Sequence, residues 1–75
     1  MSDLEHLLEN GINAVMNAER NNTEPHSVYI NPYEAFMATM DYPYNKEALE
    51  RVGMSVDTLW EIVQYVYYNI INQED

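Results

Sequence analysis

The stretch 46–63, KEALERVGMSVDTLWEIV, decides the fold of this chain. Its apolar residues recur at helical spacing on both sides of Gly53. Glycine readily adopts the left-handed conformation that often ends a helix. We therefore predict two helices, over residues 46–52 and 56–72, joined by a turn in which Gly53 has a positive φ.

Capping residues and one long apolar stripe define these two helices. Asn45 is the predicted N-cap of the first helix and Ser55 that of the second, where Asp57 in the first turn suits the helix dipole. The stripe of the second helix predicts that Trp60 is largely buried. The stripe consists of Val56, Leu59, Trp60, Val63, Val66, Tyr67 and Ile70. The residues expected near Trp60 are Leu8, Ile12, Phe36, Leu59 and Val63.

A third helix is predicted at the start of the chain. Ser2 and Glu5 have the spacing of a capping box, in which each side chain bonds the backbone N–H of the other. Apolar residues at helical spacing follow, which predicts a helix over residues 3–20. Gly11 lies inside this helix and would allow another helix to approach closely.

The middle of the chain predicts a loop and a fourth helix. Residues 21–28 lack periodicity, and Tyr29 and Ile30 form a short extended piece without a visible partner strand. Asn31 then has the character of an N-cap, followed by a proline that suits the first helical position. This pattern predicts a helix over residues 32–41, which ends ahead of Pro43.

These elements predict an all-α fold in a single acidic domain of residues 1–75. In this small four-helix domain, two longer terminal helices pack with two short ones, and residues 46–72 form a helix-turn-helix-like hairpin. The chain contains no cysteine, which excludes disulfides and thiolate metal sites. A domain of this size is only marginally stable unless its helices pack well or the protein forms oligomers.

Charge is the strongest functional signal in the sequence. Thirteen acidic residues face three basic ones, and the formal net charge is −10. Such a chain repels nucleic acid and anionic membranes and attracts basic protein surfaces. An equally weighted alternative is that the charge serves solubility alone.

The opening stretch resembles the helix-turn-helix family of DNA-binding proteins over about 18 residues. This resemblance implies that the second helix would lie in the major groove, with its early residues on base edges. Two of the residues at those positions are acidic and none is basic, so the phosphate contacts that supply DNA affinity are absent. Leu49 also stands where alanine is more usual in the family. The resemblance rests on Ala48, Leu49, Gly53, Leu59 and Ile62, and the base-reading positions correspond to Ser55, Val56, Asp57, Thr58, Trp60 and Glu61.

Three pairs of carboxylates are spaced as neighbours on a helix surface. Residues three or four apart lie about 5–6 Å from each other there, which resembles the spacing of phosphates along a nucleic-acid strand. The alternative is an ordinary solvated face. Tyr42 and Tyr44 are candidate contact residues, because tyrosine is enriched among interface anchors, although it also fills the rims of helical cores. The pairs are Glu5 with Glu9, Glu47 with Glu50, and Asp57 with Glu61.

No pattern indicates an enzyme, a cofactor or a metal site. His6 and His26 lie far apart in sequence and belong to no ligand motif, and no calcium loop occurs. Glycine-rich phosphate loops and nucleophile motifs are also missing. We therefore predict a protein that is not an enzyme and that uses no cofactor.

The sequence thus predicts a small acidic inhibitor that occupies a basic, nucleic-acid-binding surface of a partner protein. It would imitate DNA, as an inhibitor encoded by a phage against host defence or DNA-processing machinery would do. No direct contact with nucleic acid or membrane is expected, and the expected location is the cytoplasm, that of the host if a phage encodes the protein. The alternatives are a structural module that forms a homodimer through helix 56–72, and a degenerate helix-turn-helix regulator.

Overall fold

The computed structural model describes residues 2–71 of the chain. It confirms the all-α fold, since four α-helices and a short π-helical segment cover most of this range and no strand occurs within it. No helix in the described range is long and apolar enough to cross a membrane. The elements are α1 (Asp3–Asn22), α2 (Pro32–Met40), α3 (Pro43–Val52), α4 (Val56–Val66) and the π-helical segment (Tyr67–Ile71).

Helix α1 is the central element against which the other helices pack. Helix α2 runs antiparallel to it, because Ile30, just ahead of α2, bonds to Asn22 at the end of α1, while Phe36 packs near Gly11. Helix α3 is also antiparallel to α1, since Asn45 bonds to Asn10 and Arg51 to Asp3.

Helix α4 runs parallel to α1. Val63 packs on Gly11, and five residues later the hydroxyl of Tyr68 donates to Glu19, further along α1. Helices α3 and α4 are joined by the turn at Gly53, but each packs mainly on α1 and they make few contacts with each other. The predicted order of helix, turn and helix is therefore present, with α1 as the support of both helices.

Gly11 is the point of closest approach in the core. A Cβ atom placed there would lie 2.8 Å from Cγ2 of Val63 and 3.1 Å from Cε1 of Phe36, so only glycine fits without displacement. This confirms the prediction that Gly11 allows another helix to approach. The largest fully buried side chains around this contact are Phe36, Leu7, Leu59, Val15 and Val63.

Trp60 is partly buried and packs against the core, as the apolar stripe of α4 predicts. It lies at the edge of the α4 stripe, where its ring packs against Phe36 with centroids 4.9 Å apart and against Tyr33 at 5.1 Å. Phe36, one of the residues expected beside Trp60, is fully buried. Leu8 and Ile12, expected beside Trp60, are half-buried as well.

Capping explains where three of the helices begin. Ser2 and Glu5 form the predicted capping box, and Asn31 accepts a hydrogen bond from Tyr33 at the start of α2. Ser55 accepts from the backbone of Thr58 at the start of α4. Gly53 ends α3 with a φ of 77°, which confirms the predicted left-handed turn.

Helix α3 begins three residues earlier than predicted. Pro43 occupies its first turn, where the missing N–H costs no hydrogen bond, and the backbone N–H of Lys46 donates to Tyr42. Asn45 is therefore not a cap. It is buried inside the helix, where its amide donates to the carbonyl of Thr39 at 2.8 Å and accepts from Asn10 at 3.1 Å.

The predicted last helix, 56–72, changes its winding part of the way along. It is α-helical to Val66 and π-helical over Tyr67–Ile71, and its last predicted residue, Asn72, lies outside the described residues. The wider turn comes where two consecutive tyrosines both meet α1. Tyr67 is buried beside α1, and Tyr68 bonds Glu19.

Candidate functional site

Three helix ends meet at one end of the molecule. An ion pair between Arg51 and Asp3, with Nε and Oδ2 2.8 Å apart, fixes the end of α3 to the start of α1. The turn at Gly53 then leads directly into α4. The first turns of α1, the whole of α3 and the first turns of α4 therefore belong to the same half of the bundle.

This half carries all six predicted partner-binding carboxylates, and we call it the acidic end. Each of the six is exposed. They remain on three separate helices, two on each, so the fold gathers them at one end without aligning them in a single row. The residues are Glu5 and Glu9 on α1, Glu47 and Glu50 on α3, and Asp57 and Glu61 on α4.

Glu5 has a structural role in addition to its charge. Its Oε1 accepts hydrogen bonds from the backbone N–H and the hydroxyl of Ser2, both at 3.1 Å. These bonds lower the pKa of Glu5, because they stabilise its ionised form. The carboxylate of Glu5 is therefore held in place by the cap of α1.

Most of the few basic side chains are already paired with acids. Arg51 bonds Asp3, which lowers the pKa of Asp3, and Lys46 pairs with Asp41 at 3.0 Å. Arg20 lies in the last turns of α1, far from the acidic end, and has no carboxylate partner within residues 2–71. The carboxylates that remain at the acidic end are thus little compensated by nearby cations.

The two predicted contact tyrosines flank the start of α3. Tyr42 is 66% exposed and Tyr44 is 55% exposed, so both could contact a partner. The ring of Tyr44 meets His6 edge-on, with centroids 6.3 Å apart, and therefore lies on the side of α3 that faces α1. Tyr42 precedes α3 at the junction with α2.

The opposite end of the molecule exposes apolar side chains, a feature that sequence reasoning missed. Val28 is 84% exposed and Tyr29 is 69% exposed, although both are large and apolar. The sequence did contain a signal for this exposed surface, namely three consecutive large apolar residues, 28–30, in the loop between α1 and α2. We call this region the apolar end, and its exposed large apolar side chains are Val28, Tyr29, Ile30, Tyr33, Ile70 and Ile71.

A groove and a tyrosine–carboxylate pair lie beside the apolar end. The groove, of about 480 Å³, is lined by Tyr67 and by residues of the last turns of α1, including Glu19. The hydroxyl of Tyr68 donates to Oε2 of Glu19 at 2.7 Å. Burial and this hydrogen bond raise the pKa of Tyr68 to about 12, so the hydroxyl keeps its proton and remains a donor to higher pH.

Most of the apolar stripe of α4 is used inside the chain. Leu59, Val63 and Tyr67 are buried in the core, and of the described stripe residues only Ile70 and Ile71 are exposed, at 56% and 38%. A homodimer through helix 56–72 would therefore have to use that last turn.

Within residues 2–71, no three histidine or carboxylate side chains converge in a way that could hold a metal ion. No protein-family model, curated protein or solved structure matches this chain. The interpretation of its function therefore rests on charge and geometry.

Proposed function

We propose that this protein is a small acidic inhibitor that occupies a basic, nucleic-acid-binding surface of a partner protein. The observation that supports this proposal is the placement of six exposed carboxylates at the end of the bundle where α1, α3 and α4 meet. A net charge of −10 makes the whole chain attractive to a basic surface.

The chemistry of such a partner follows from the charge. Surfaces that bind nucleic acid carry lysine and arginine arranged to neutralise phosphates. Carboxylates on adjacent helices offer the same sign of charge on a rigid scaffold, and Asp57 and Glu61 extend from the outward side of α4. Exposed charge pairs of this kind mainly set the rate of encounter and its salt dependence.

Tyr42 and Tyr44 would contribute the uncharged part of the contact. Tyrosine buries a large area at a small cost in conformational entropy and keeps a hydroxyl for hydrogen bonding. Both side chains are exposed beside α3, which also carries Glu47 and Glu50. A partner seated on α3 would therefore meet tyrosines and carboxylates together.

The test compares two double variants, each of which replaces two carboxylates by neutral amides and so changes the net charge by the same amount. Asp57→Asn with Glu61→Gln alters the acidic end, whereas Glu24→Gln with Glu34→Gln alters exposed acids near the other end. Proteins captured from a cell lysate by the immobilised parent are eluted with denaturant and identified, and the partner is then purified in native form. The affinity of the parent and both variants for the purified partner is then measured at low and high salt.

We expect the variant of the acidic end to bind at least about tenfold more weakly and the control variant to bind almost like the parent. High salt should weaken the parent complex, because exposed charges are screened beyond about 10 Å at 0.1 M salt. Duplex DNA should compete with the parent for the partner. If both variants bind equally weakly, the net charge of the chain and not the position of the carboxylates determines the affinity. If the affinity depends neither on salt nor on DNA, the proposal is refuted.

A homodimeric structural module is the second candidate function. The exposure of Ile70 and Ile71 favours it, since large apolar side chains at a surface often mark an interface. A variant with Ile70→Asp should be monomeric under conditions in which the parent is a dimer, as measured by light scattering. If both proteins have the same mass in solution, this turn is not a dimer interface.

A further inference from the structure

The loop at the apolar end holds a preformed extended segment, residues 28–30. The side-chain amide of Asn22 accepts from the backbone N–H of Ile30 at 2.8 Å and donates to the carbonyl of the same residue at 2.8 Å. The amide of Asn21 donates to the carbonyl of Val28 at 2.7 Å. The N–H and C=O of one residue, here Ile30, can both bond the same side chain only when the backbone is extended. Asn21 and Asn22 therefore bond this segment as an adjacent strand would.

Tyr29 therefore presents a backbone edge to solvent. In an extended chain, successive residues direct their N–H and C=O groups to opposite sides. The carbonyl of Val28 and both backbone groups of Ile30 bond side chains of α1. This leaves the N–H and C=O of Tyr29 pointing outwards, and neither has a hydrogen-bond partner within residues 2–71. An exposed edge of this kind is a template for pairing with another extended chain.

We propose that this edge pairs with the same segment of a second copy of the chain, forming an antiparallel dimer about Tyr29. The two-fold arrangement is self-complementary, because two opposed Tyr29 residues exchange both N–H···O=C bonds. Val28 of one copy then lies opposite Ile30 of the other. These apolar side chains, now exposed, cover each other across the pair.

Charge favours a second copy at this place on the molecule. Residues 25–33 contain no aspartate, glutamate, lysine or arginine, and His26 counts as neutral, although the chain as a whole carries a net charge of −10. The molecule is 40 Å long, and the acidic end lies at the far end of α1 from this loop. Two copies that meet through the loop keep their acidic ends apart by much more than the screening length of about 8–10 Å.

The dimer should be weak, since a pair of such short segments buries less than a standard interface of about 1,600 Å². We expect it in sedimentation velocity at high protein concentration. In a mixture of isotope-labelled and unlabelled chains, intermolecular nuclear Overhauser effects should connect the α-protons of Val28 and Ile30. These protons face each other only in an antiparallel pair centred on Tyr29.

Two variants at one position separate backbone pairing from side-chain contact. Tyr29→Pro removes the outward N–H and should raise the dimer dissociation constant at least about tenfold. Tyr29→Ala keeps that N–H and should retain most of the dimerisation. Circular dichroism and thermal melting of both variants check that the helical fold is preserved.

A parent that stays monomeric at high concentration would overturn the proposal. The same holds for a dimer that Tyr29→Pro leaves unchanged, or for one without the contact between Val28 and Ile30. If the N–H of Tyr29 gains protection from hydrogen exchange only when the purified basic partner is added, the edge takes a strand of that partner and the second copy is the wrong occupant. The isotope experiment on the parent decides the matter even if the proline variant fails to fold.

Discussion

The acidic end and the apolar end of this molecule are stabilised in different ways. At the acidic end, short-range signals set where helices begin and end: a capping box at Ser2, a serine cap at α4 and the left-handed Gly53. One ion pair, of Asp3 with Arg51, holds two of these helix ends together. At the apolar end, hydrogen bonds join residues 8 and 49 positions apart, from Asn22 to Ile30 and from Tyr68 to Glu19. One end is highly charged and closely capped, and the other exposes apolar side chains and backbone groups.

This difference gives each end a different kind of exposed surface. Caps and turns act on the residues next to them, so the acidic end can carry many like charges and still keep its helices in place. The apolar end gains its order from side chains of α1 that bond the loop, and the loop's own apolar side chains stay exposed. Each end therefore suits a different type of contact.

The largest expected effect comes from Gly11, which lies between the two ends. Gly11→Val would push into Val63 and Phe36, whose atoms already lie 2.8 and 3.1 Å from the place of a Cβ atom. We expect a loss of about 3 kcal/mol in the free energy of unfolding, in the upper part of the range for overpacked cores. Urea denaturation measures this loss, with Asn13→Val on the exposed side of α1 as the control.

Hydrogen exchange in the Gly11→Val variant would sharpen the comparison. If α1 joins both ends in one cooperative unit, amides of α3 and of Tyr67–Ile71 should lose protection together. Loss of protection at one end only would show that the ends unfold separately.

A smaller effect is expected at the acidic end from Gly53. A valine at its φ of 77° would cost about 1–2 kcal/mol, because L-residues other than asparagine and aspartate rarely adopt this conformation. No atom lies within 4 Å of the place of its Cβ, so the cost comes from the backbone alone. Gly53→Asn, the matched control, should cost clearly less in the same denaturation experiment. Equal costs for valine and asparagine would contradict this explanation.

The sequence predicted the elements well wherever the signal was local. The caps at Ser2, Asn31 and Ser55, the turn at Gly53 and the close approach at Gly11 are all present. Helical periodicity and caps act within one or two turns, so they can be recognised without knowing how the helices pack.

The errors in prediction fell where distant contacts decide the structure. Asn45 resembles a cap in sequence, yet it is buried as a bridge between Asn10 and Thr39. Trp60 was correctly assigned to the apolar stripe of α4, whereas its exact depth depends on how α2 crosses α4. The six carboxylates could be chosen from spacing and charge, whereas their common location depends on the ion pair of Asp3 with Arg51.

At the apolar end, Tyr68 should make stability depend on alkaline pH. Its pKa is raised to about 12 in the folded protein, against an ordinary value of about 10 in the unfolded chain. The folded state therefore holds this proton more tightly, and its stabilising effect is complete below pH 10 and lost as the pH rises from about 10 to 12. Tyr68→Phe also removes the hydrogen bond to Glu19, which should cost roughly 1 kcal/mol at neutral pH.

Urea denaturation at pH 7 and at pH 11 measures both effects of Tyr68. The parent should lose more stability than Tyr68→Phe between these two pH values. Tyr65→Phe is the control, because Tyr65 is 62% exposed and its removal takes away one ionisable tyrosine without changing the contact with Glu19. Parallel losses in all three proteins would mean that the contact with Glu19 does not hold the proton of Tyr68.

The smallest effects should come from single charges, and they should differ in sign between the two ends. At the acidic end, Glu61 lies four residues after Asp57 on the same helix, and like charges at this spacing repel by a few tenths of a kcal/mol. At the other end, Glu34 lies in the first turn of α2, where the helix dipole stabilises a negative charge by about 0.3–1 kcal/mol. Both side chains are exposed, so differences in burial do not affect the comparison.

Glu61→Gln should therefore stabilise the protein slightly, and Glu34→Gln should destabilise it slightly, in thermal melts at low salt. High salt should bring both variants close to the parent, since the interactions are electrostatic and exposed. If both substitutions stabilised the protein by the same amount, general repulsion from the net charge of −10 would outweigh local placement. The carboxylates of the acidic end would then repel one another no more strongly than those elsewhere in the chain, and a basic partner would have no local repulsion to relieve there.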